Sequence, residues 1–221
     1  MSGIRDFAEY VDDFWGADTY STAGQGSPWA IADTSSSGTP TYAHVSPSAT
    51  GEIALTLAAT SEVENVCLSF GDVLPFDIDN LQRFESRVKV SGCTTGTTIA
   101  WGLATARNDT PGSIANRALF RMTGATSTTA VTVETDDATT DSGLIATGAT
   151  LATVYKEFVI DFTGGKSNVK FSIDGVRVAS ATTFSLAGFS ASMQPFFQIQ
   201  KAANTNVDAI TIDYVRVLLK R

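Results

Sequence analysis

Few residues in this chain belong to the types that bind transition metals or act as nucleophiles. The only histidine is His44, and the two cysteines, Cys67 and Cys93, are distant from it and from each other along the sequence. A zinc site needs several such ligands, usually arranged as closely spaced pairs. The sequence therefore predicts no metal site of this kind, and it predicts that both cysteines are free thiols rather than a disulfide.

Two glycine-containing stretches match only parts of catalytic motifs. Residues 165–167 (GKS) match the end of a phosphate-binding loop, but Ile160 stands where that motif needs its first glycine. Residues 112–114 (GSI) lack the second glycine of a nucleophile elbow, and a single histidine gives no basis for a serine triad. We interpret both stretches as turns, and we predict no cofactor.

Two groups of carboxylates offer oxygen ligands of the kind that calcium prefers. They are residues 77–80 (DIDN) and the aspartates at positions 136, 137 and 141. Asp and Asn are also ordinary turn residues, because their side chains accept hydrogen bonds from the neighbouring backbone. We favour the turn interpretation at both places and predict no bound metal.

The strands that position these groups are clearest in residues 155–178 (YKEFVIDFTGGKSNVKFSIDGVRV). Phe158, Ile160 and Phe162 alternate with other residues, and the same alternation returns in residues 169–173 and 176–178. A period of two is typical of a half-buried strand. The pairs Gly164-Gly165 and Asp174-Gly175 favour tight turns. This stretch predicts an antiparallel meander whose apolar face must be covered by a second sheet.

The same alternation predicts strands in 53–57, 66–70, 83–90, 99–103, 118–122, 130–134, 197–199 and 209–218. In residues 83–90 (RFESRVKV) one face is fully charged, which predicts contact with solvent or the rim of an interface. In residues 99–104 small side chains alternate with large ones and leave room for another chain segment or a ligand. In the closing strand the apolar phase switches at Asp213-Tyr214, which predicts a β-bulge.

Residues 4–15 (IRDFAEYVDDFW) predict the one helix, because apolar residues recur there at steps of three and four. Such a helix is either a lid on the sandwich or a detachable docking arm, since terminal segments can be added without disturbing a core. We therefore predict an arm or lid in residues 1–16 and a single β-sandwich domain in residues 17–221. A chain of 221 residues is compatible with one all-β domain.

The formal net charge of −8 argues against nucleic acid and anionic membrane surfaces as partners. No run of about 18 apolar residues is present to span a membrane. The first residues, MSGIRDFAEY, lack the basic and then apolar layout of a secretion signal. These features predict that the protein is made and folds in a cytoplasm.

The order of these elements resembles the concanavalin A-like lectin/glucanase jelly roll. The stretches that carry the resemblance are DDFWG, RFESRVKV, the YKEFVIDF–NVKFSIDGVRV meander and QPFFQIQ…ITIDYVRV. The resemblance implies two curved antiparallel sheets and a concave face that can bind glycans. More narrowly, EVENVCLSFGDVLPFDID, IAWGLATARND, VETDD and FQIQKAANTNVDAITIDYVRV resemble tailed-bacteriophage structural proteins with this fold, which implies a place in the virion.

The glucanase branch of this family carries two Glu and one Asp on a single strand, as E-x-D-x-(x)-E. Glu134 and Asp136 match the first two positions, but Ala138 or Thr139 replaces the second Glu. A retaining glycosidase needs two carboxyl groups about 5–5.5 Å apart. The incomplete pattern predicts that the chain is not an enzyme and has no catalytic residues.

The resemblance and the incomplete motifs together predict a bacteriophage virion protein. Its expected role is capsid decoration on the outer surface of the head, with the major capsid protein as partner and homo-oligomerisation as a further alternative. The residues expected to dock are Phe7, Val11, Phe14 and Trp15, the aromatic and branched types that dominate interface energies.

The alternative function is a glycan-binding, lectin-like module of a phage tail or adhesin. The residues expected to stack on sugars are Trp29, Tyr42 and Trp101, because aromatic side chains offer an apolar face and, in Tyr and Trp, a polar group.

Overall fold

A computed structural model, which describes residues 7–15, 28–48 and 50–221, shows a chain built from β-strands. The strands are β1 Phe7–Asp12, β2 Ala30–Asp33, β3 Thr41–His44, β4 Ile53–Thr56, β5 Glu62–Ser69, β6 Phe76–Asp77, β7 Leu81–Val90, β8 Thr97–Ala104, β9 Asn116–Thr123, β10 Ala130–Asp137, β11 Ile145–Thr150, β12 Lys156–Asp161, β13 Lys170–Ile173, β14 Val176–Val178, β15 Ser192–Asn204 and β16 Ala209–Lys220. A single 3-10 turn spans Pro111–Ser113 in the described residues.

The strands form two antiparallel sheets. Sheet A has the order β14-β13-β12-β7-β16-β4-β3, with β1 also paired to β16. Sheet B has the order β11-β10-β9-β8-β15-β5-β2, with β6 also paired to β15. Alternate apolar side chains from both sheets form one continuous core between them. The predicted all-β, two-sheet antiparallel sandwich is confirmed.

The predicted meander is present as β12, β13 and β14. Phe158 lies opposite Ile173, and Phe171 lies opposite Val178, so the apolar faces of the three strands coincide. At the turn between β13 and β14, Asp174 and Gly175 have φ values of 49° and 75°. Positive φ at both central residues is the requirement of a type I′ hairpin, which is a tight turn of the kind that the sequence predicted here.

The predicted bulge in the closing strand is also present. Ile212 pairs with Val88 of β7, but the next paired residue on β16 is Tyr214, which lies opposite Arg87. Asp213 is therefore the extra residue, and it forms an ion pair with Arg87 on the outer side of sheet A. The bulge keeps apolar residues on the core side both before and after it.

The predicted N-terminal helix was wrong where it falls on described residues, because Phe7–Asp12 form strand β1. β1 pairs antiparallel with the second half of β16, from Phe7 opposite Lys220 to Asp12 opposite Val215. The FAEYVD segment also alternates with period two, and pairing with β16 satisfies its backbone polar groups. Residues 4–6 and the expected boundary between residues 16 and 17 lie outside the described residues.

The described residues contain no helix that is long and apolar enough to cross a membrane. Both cysteines are free, as predicted, and both are buried.

Candidate functional site

The side of sheet B that faces away from the core, called here the outer face of sheet B, combines small and polar side chains. On β8 the outward positions are Ala100, Gly102 and Ala104, whereas Trp101 and its alternate neighbours fill the core. Gly102 has a φ of 144°, and a Cβ atom there would lie 2.4 Å from the Ala118 carbonyl oxygen of β9. The small residues leave space, which a loop between β8 and β9 occupies.

This loop, residues 105–115, crosses the outer face of sheet B. Ile114 is buried in a small apolar cluster with Ala100, Ala104, Leu119 and Phe196. The room that the sequence predicted beside β8 is thus filled by another segment of the same chain. The loop separates the outer face into two polar regions, one on β9 and β10 and one on β5 and β15.

The tip of the loop is fixed by Asp109. Its carboxylate forms an ion pair with Arg107 and accepts a hydrogen bond from Thr34 Oγ1 at 2.7 Å. Its backbone carbonyl accepts hydrogen bonds from Asn65 Nδ2 at 3.1 Å and from Gln198 Nε2 at 2.9 Å. The hydrogen bond from Thr34 and the charge of Arg107 lower the pKa of Asp109, against the opposing effect of partial burial. The carboxylate is therefore ionised at neutral pH.

A row of side-chain amides lies beside this loop on β5 and β15. Both ends of the Gln194 side-chain amide have hydrogen-bond partners in the protein. Its Oε1 accepts from the Phe70 amide at 2.9 Å, and its Nε2 donates to Asp72 at 2.8 Å. The Oδ1 atom of Asn65 and the Oε1 atom of Gln198 are buried without a hydrogen-bond partner among the described residues. A buried acceptor left unpaired costs about 1–3 kcal/mol, so such atoms need an explanation.

A cavity of about 350 Å³ opens next to this row. Its lining includes Thr34, Asn65, Asp109, Gln200 and Ala202. Its volume is within the range of ligand sites, about 300–1,000 Å³. Amide, hydroxyl and carboxylate groups therefore converge on one space at this end of the outer face.

A charged cluster lies on β9 and β10, on the other side of the loop. Arg117, only 2% exposed, donates to Asp136 at 2.6 Å and also contacts Glu134 at 3.2 Å and Asp141 at 3.1 Å. Arg121 contacts Glu134 at 3.5 Å. Burial alone lowers the pKa of Arg117, but the three carboxylates outweigh it and raise that pKa above its ordinary value. Glu134 and Asp136 thus both lie on the outer face of sheet B. Arg117 forms ion pairs with both carboxylates, and Arg121 forms a further one with Glu134.

The aspartates considered as calcium ligands cap turns. Asp137 accepts hydrogen bonds from the backbone amides of Thr140 and Gly188, both at 2.7 Å. Asp77 accepts from the backbone amide of Asp79 at 2.8 Å. No group of three or more His, Cys, Asp or Glu side chains within residues 7–15, 28–48 and 50–221 is arranged to hold a metal ion.

The residues predicted to stack on sugars lie elsewhere. Trp101 is fully buried between the sheets, where it stacks on Phe120 with ring centroids 5.8 Å apart. Trp29 is also buried in the core, and its Nε1 donates to Asp12 at 2.7 Å. Tyr42 packs partly buried against the same core. The prediction is corrected for both tryptophans, because a core ring has no face available to a sugar.

The four predicted docking residues are not all exposed. Phe14 is buried and packs on Trp29, with ring centroids 5.4 Å apart, so its docking role is corrected. Phe7, Val11 and Trp15 are 49%, 55% and 65% exposed. Phe7 and Val11 lie on the outward side of β1, where alternation separates them from the core residues of the same strand.

The sequence matches no known family profile, and no curated protein resembles it in sequence. Solved structures resemble its fold. A Bacteroides ovatus glycoside hydrolase family 16 endo-glucanase aligns over 94% of this chain and 99% of its own, with 13% identity and a TM-score of 0.64. An Emp47p carbohydrate recognition domain aligns over 87% and 88%, with 13% identity and a TM-score of 0.56.

A carbohydrate esterase from the Shiga toxin-encoding bacteriophage phi24B aligns over 91% of this chain and 97% of its own, with 14% identity and a TM-score of 0.50. At these identities the likenesses establish the fold alone. They identify the sandwich as a jelly roll of the concanavalin A-like kind, in agreement with the resemblance found in the sequence.

The comparisons correct one prediction. The incomplete Glu and Asp pattern predicted that the chain is not an enzyme. Four of the neighbours that share its fold along at least 94% of this chain are glycoside hydrolases, with TM-scores of 0.63 or 0.64. The prediction was therefore wrong to exclude enzymatic activity.

Proposed function

We propose that this chain recognises a neutral glycan on the outer face of sheet B. The observation that carries the proposal is the chemistry of that face, where side-chain amides on β5 and β15 and ion-paired arginines and carboxylates on β9 and β10 are held in fixed positions. Such groups donate to and accept from hydroxyls, and their fixed positions reduce the entropy lost on binding.

The charge balance of this face favours a neutral ligand. Arg117 and Arg121 are each paired with carboxylates, and Arg107 is paired with Asp109. Since each of these cations already has an anionic partner, the described part of this face offers an anionic ligand no unpaired arginine. The carbohydrate recognition domain and the glucanases among the structural neighbours support a carbohydrate as the ligand.

Cleavage of the bound glycan is a second candidate activity, supported by Glu134 and Asp136. Both project from β10 on the outer face, and Arg117 contacts both carboxylates. Two carboxyl groups of different environment are what glycoside hydrolysis requires. In this chain Glu134 is almost fully buried, whereas Asp136 is partly exposed, so their environments do differ.

The test is calorimetric titration of the full chain with neutral oligosaccharides, beginning with mixed-linkage β-glucans, together with a broad glycan array. We expect saturable binding to at least one neutral glycan, and absence of binding across the array contradicts the proposal. Hydrolysis is followed by release of reducing ends, with Glu134→Gln as the control. An equal rate in the wild type and this variant contradicts a catalytic role for Glu134.

Capsid decoration remains a separate proposal, with the major capsid protein as partner. What supports it is the exposure of Phe7, Val11 and Trp15 at the β1 end of the molecule. Phe7→Ser and Val11→Ser together should abolish binding to undecorated phage heads without unfolding the sandwich. Undiminished binding by the folded double variant contradicts docking through β1.

A further inference from the structure

The cavity between β5, β15 and the loop 105–115 has features of a built site. It lies on the β5 and β15 side of the loop, whereas Arg117 and Glu134 lie on β9 and β10 on the other side. In the register of the two strands Asn65 lies directly opposite Gln200. The two amides therefore sit side by side at the base of the cavity, on the same face of sheet B.

The side chain of Asn65 is oriented so that its oxygen, Oδ1, has no hydrogen-bond partner in the described residues. The residue is 4% exposed, and its Nδ2 donates to the Asp109 carbonyl at 3.1 Å. Its Oδ1 is buried and accepts no hydrogen bond from any residue in the described part of the chain. Because the donor end of the amide is committed to Asp109, the oxygen end is available only to a partner that enters from outside.

The neighbouring amide repeats this arrangement. Gln198 donates from Nε2 to the Asp109 carbonyl at 2.9 Å and to Gln200 Oε1 at 3.2 Å, while its own Oε1 has no partner among the described residues. The side-chain amides of Asn65 and Gln198 thus both donate to the backbone carbonyl of Asp109. The oxygens of these two amides remain as acceptors, and the exposed carboxylate of Asp109 adds a charged one.

A ligand that pairs with these oxygens must present donors. Hydroxyl groups and ammonium groups both satisfy that condition. Lys201 in the wall does not decide between them, because it is fully buried, contacts Glu64 at 3.6 Å and donates to the Thr60 carbonyl at 2.7 Å. The Gln200 amide does decide, because its Oε1 accepts from Gln198 and its Nε2 can still donate into the cavity. A hydroxyl group both donates and accepts, whereas an ammonium group only donates, so a ligand rich in hydroxyl groups fits the lining better.

We propose that this cavity is a subsite for one sugar ring, whose hydroxyl groups donate to Asn65 Oδ1 and to the Asp109 carboxylate. The inference rests on the proposed recognition of a glycan and specifies where one unit of it binds. Gln200 and Thr34 border the same space and complete the polar lining. The sugar hydroxyls supply the hydrogen bond that Asn65 lacks within the protein.

The test blocks the cavity without removing any of its polar groups. Ala202 lines the cavity and is exposed, so Ala202→Trp fills the space from the surface. Ala203 is the adjacent exposed residue outside the lining, and Ala203→Trp is the matched control. The probe is a mixed-linkage β-glucan tetrasaccharide, or the glycan that binds best on the array, titrated into each full-length protein by calorimetry.

We expect Ala202→Trp to weaken binding at least tenfold and Ala203→Trp to change it less than twofold. Gln200→Ala, with Gln82→Ala on sheet A as its control, gives a second measurement if circular dichroism shows that Ala202→Trp is misfolded. Wild-type binding that survives both Ala202→Trp and Gln200→Ala overturns the subsite and leaves glycan recognition standing. Failure of the wild type to bind any glycan overturns both proposals.

Discussion

Asp137 shows what a single carboxylate contributes to this sandwich. It is buried at the end of β10 and accepts backbone hydrogen bonds from its own turn, at Thr139 and Thr140, and from Gly188 in a distant loop. We expect Asp137→Ala to destabilise the fold by about 2–3 kcal/mol, the scale of hydrogen bonds to a charged group. Urea unfolding measures this change.

Asp161→Ala is the control for that measurement, because among the described residues the Asp161 carboxylate bonds only within its own exposed turn, to the Thr163 amide at 2.7 Å. We expect it to cost under about 1 kcal/mol. Equal losses in the two variants contradict the role given to Asp137.

The same residue makes stability depend on pH. Burial alone raises the pKa of Asp137, but the hydrogen bonds from Gly188, Thr140 and Thr139 outweigh it and lower that pKa below its ordinary value of 3.8. Its contribution to stability is therefore complete above pH 3.8 and is lost as the pH falls through the lower folded-state value. The difference in unfolding free energy between the wild type and Asp137→Ala should shrink below that pH, as measured by urea titrations at several pH values.

Trp101 carries a different residue-scale prediction. Its indole nitrogen is buried without a hydrogen-bond partner in the described residues, while its ring packs on Phe120 and Phe158. Trp101→Phe removes the unpaired donor and keeps an aromatic ring, so we expect a loss under about 1.5 kcal/mol. Trp101→Ala should cost about 3–5 kcal/mol. Thermal unfolding that shows equal losses contradicts this account.

Local residue chemistry was predictable, and distant contacts were not. The turn roles of Asp77 and Asp137 follow from their neighbours in sequence, and they were predicted. The contact of Asn65 with Asp109 joins residues 44 positions apart, which no local pattern indicates. The burial of Trp101 did have a signal, because it shares the core phase of β8 with Ile99 and Leu103. That signal argued against its assignment to a sugar site.

At the scale of elements, the bulge at Asp213 gives a sharp test. Deletion of Asp213 leaves Ile212 and Val215 on the core side, because regular pairing then replaces the bulge. We expect this variant to fold. Deletion of Thr211 instead turns Ile212 outward and Asp213 inward, and we expect that variant to be insoluble or unfolded. Near-ultraviolet circular dichroism compares the folds of the two variants. A native spectrum for the Thr211 deletion together with a non-native spectrum for the Asp213 deletion contradicts the assignment of Asp213 as the bulge residue.

Strands with clean alternation of large side chains were predicted, and the others were not. β7 and β12 show that pattern and lie where the sequence placed them. β11 alternates among small residues and contains Gly148 with a φ of 75°, so it offers little pattern to detect. β1 fits both a helical and a strand period, and its pairing with β16 decides between them. The tertiary partner, which a single sequence does not show, supplied that information.

At the scale of the whole molecule, the continuous core controls access to both thiols. Burial raises the pKa of Cys67 and that of Cys93 to about 12 each. Since the thiolate is the reactive form, neither should react with iodoacetamide at pH 8 unless the sandwich opens. We expect no labelling in buffer and two labels per chain in denaturing urea, measured by mass spectrometry. Rapid labelling of the native protein contradicts a closed core around them.

The position of β16 has a consequence for how the molecule is made. β16 is synthesised after every other described strand, yet it lies inside sheet A and pairs with β7, β4 and β1. Until β16 is available, β1 and β4 have no strand through which to join β7 in sheet A. The pairing of β1 with β16 brings together residues far apart in sequence, such as Glu9 and Arg216, which are separated by 207 positions. Contacts of such long range slow folding. Sheet A is therefore completed only once β16 has been synthesised, and the net charge of −8 opposes association between chains until then.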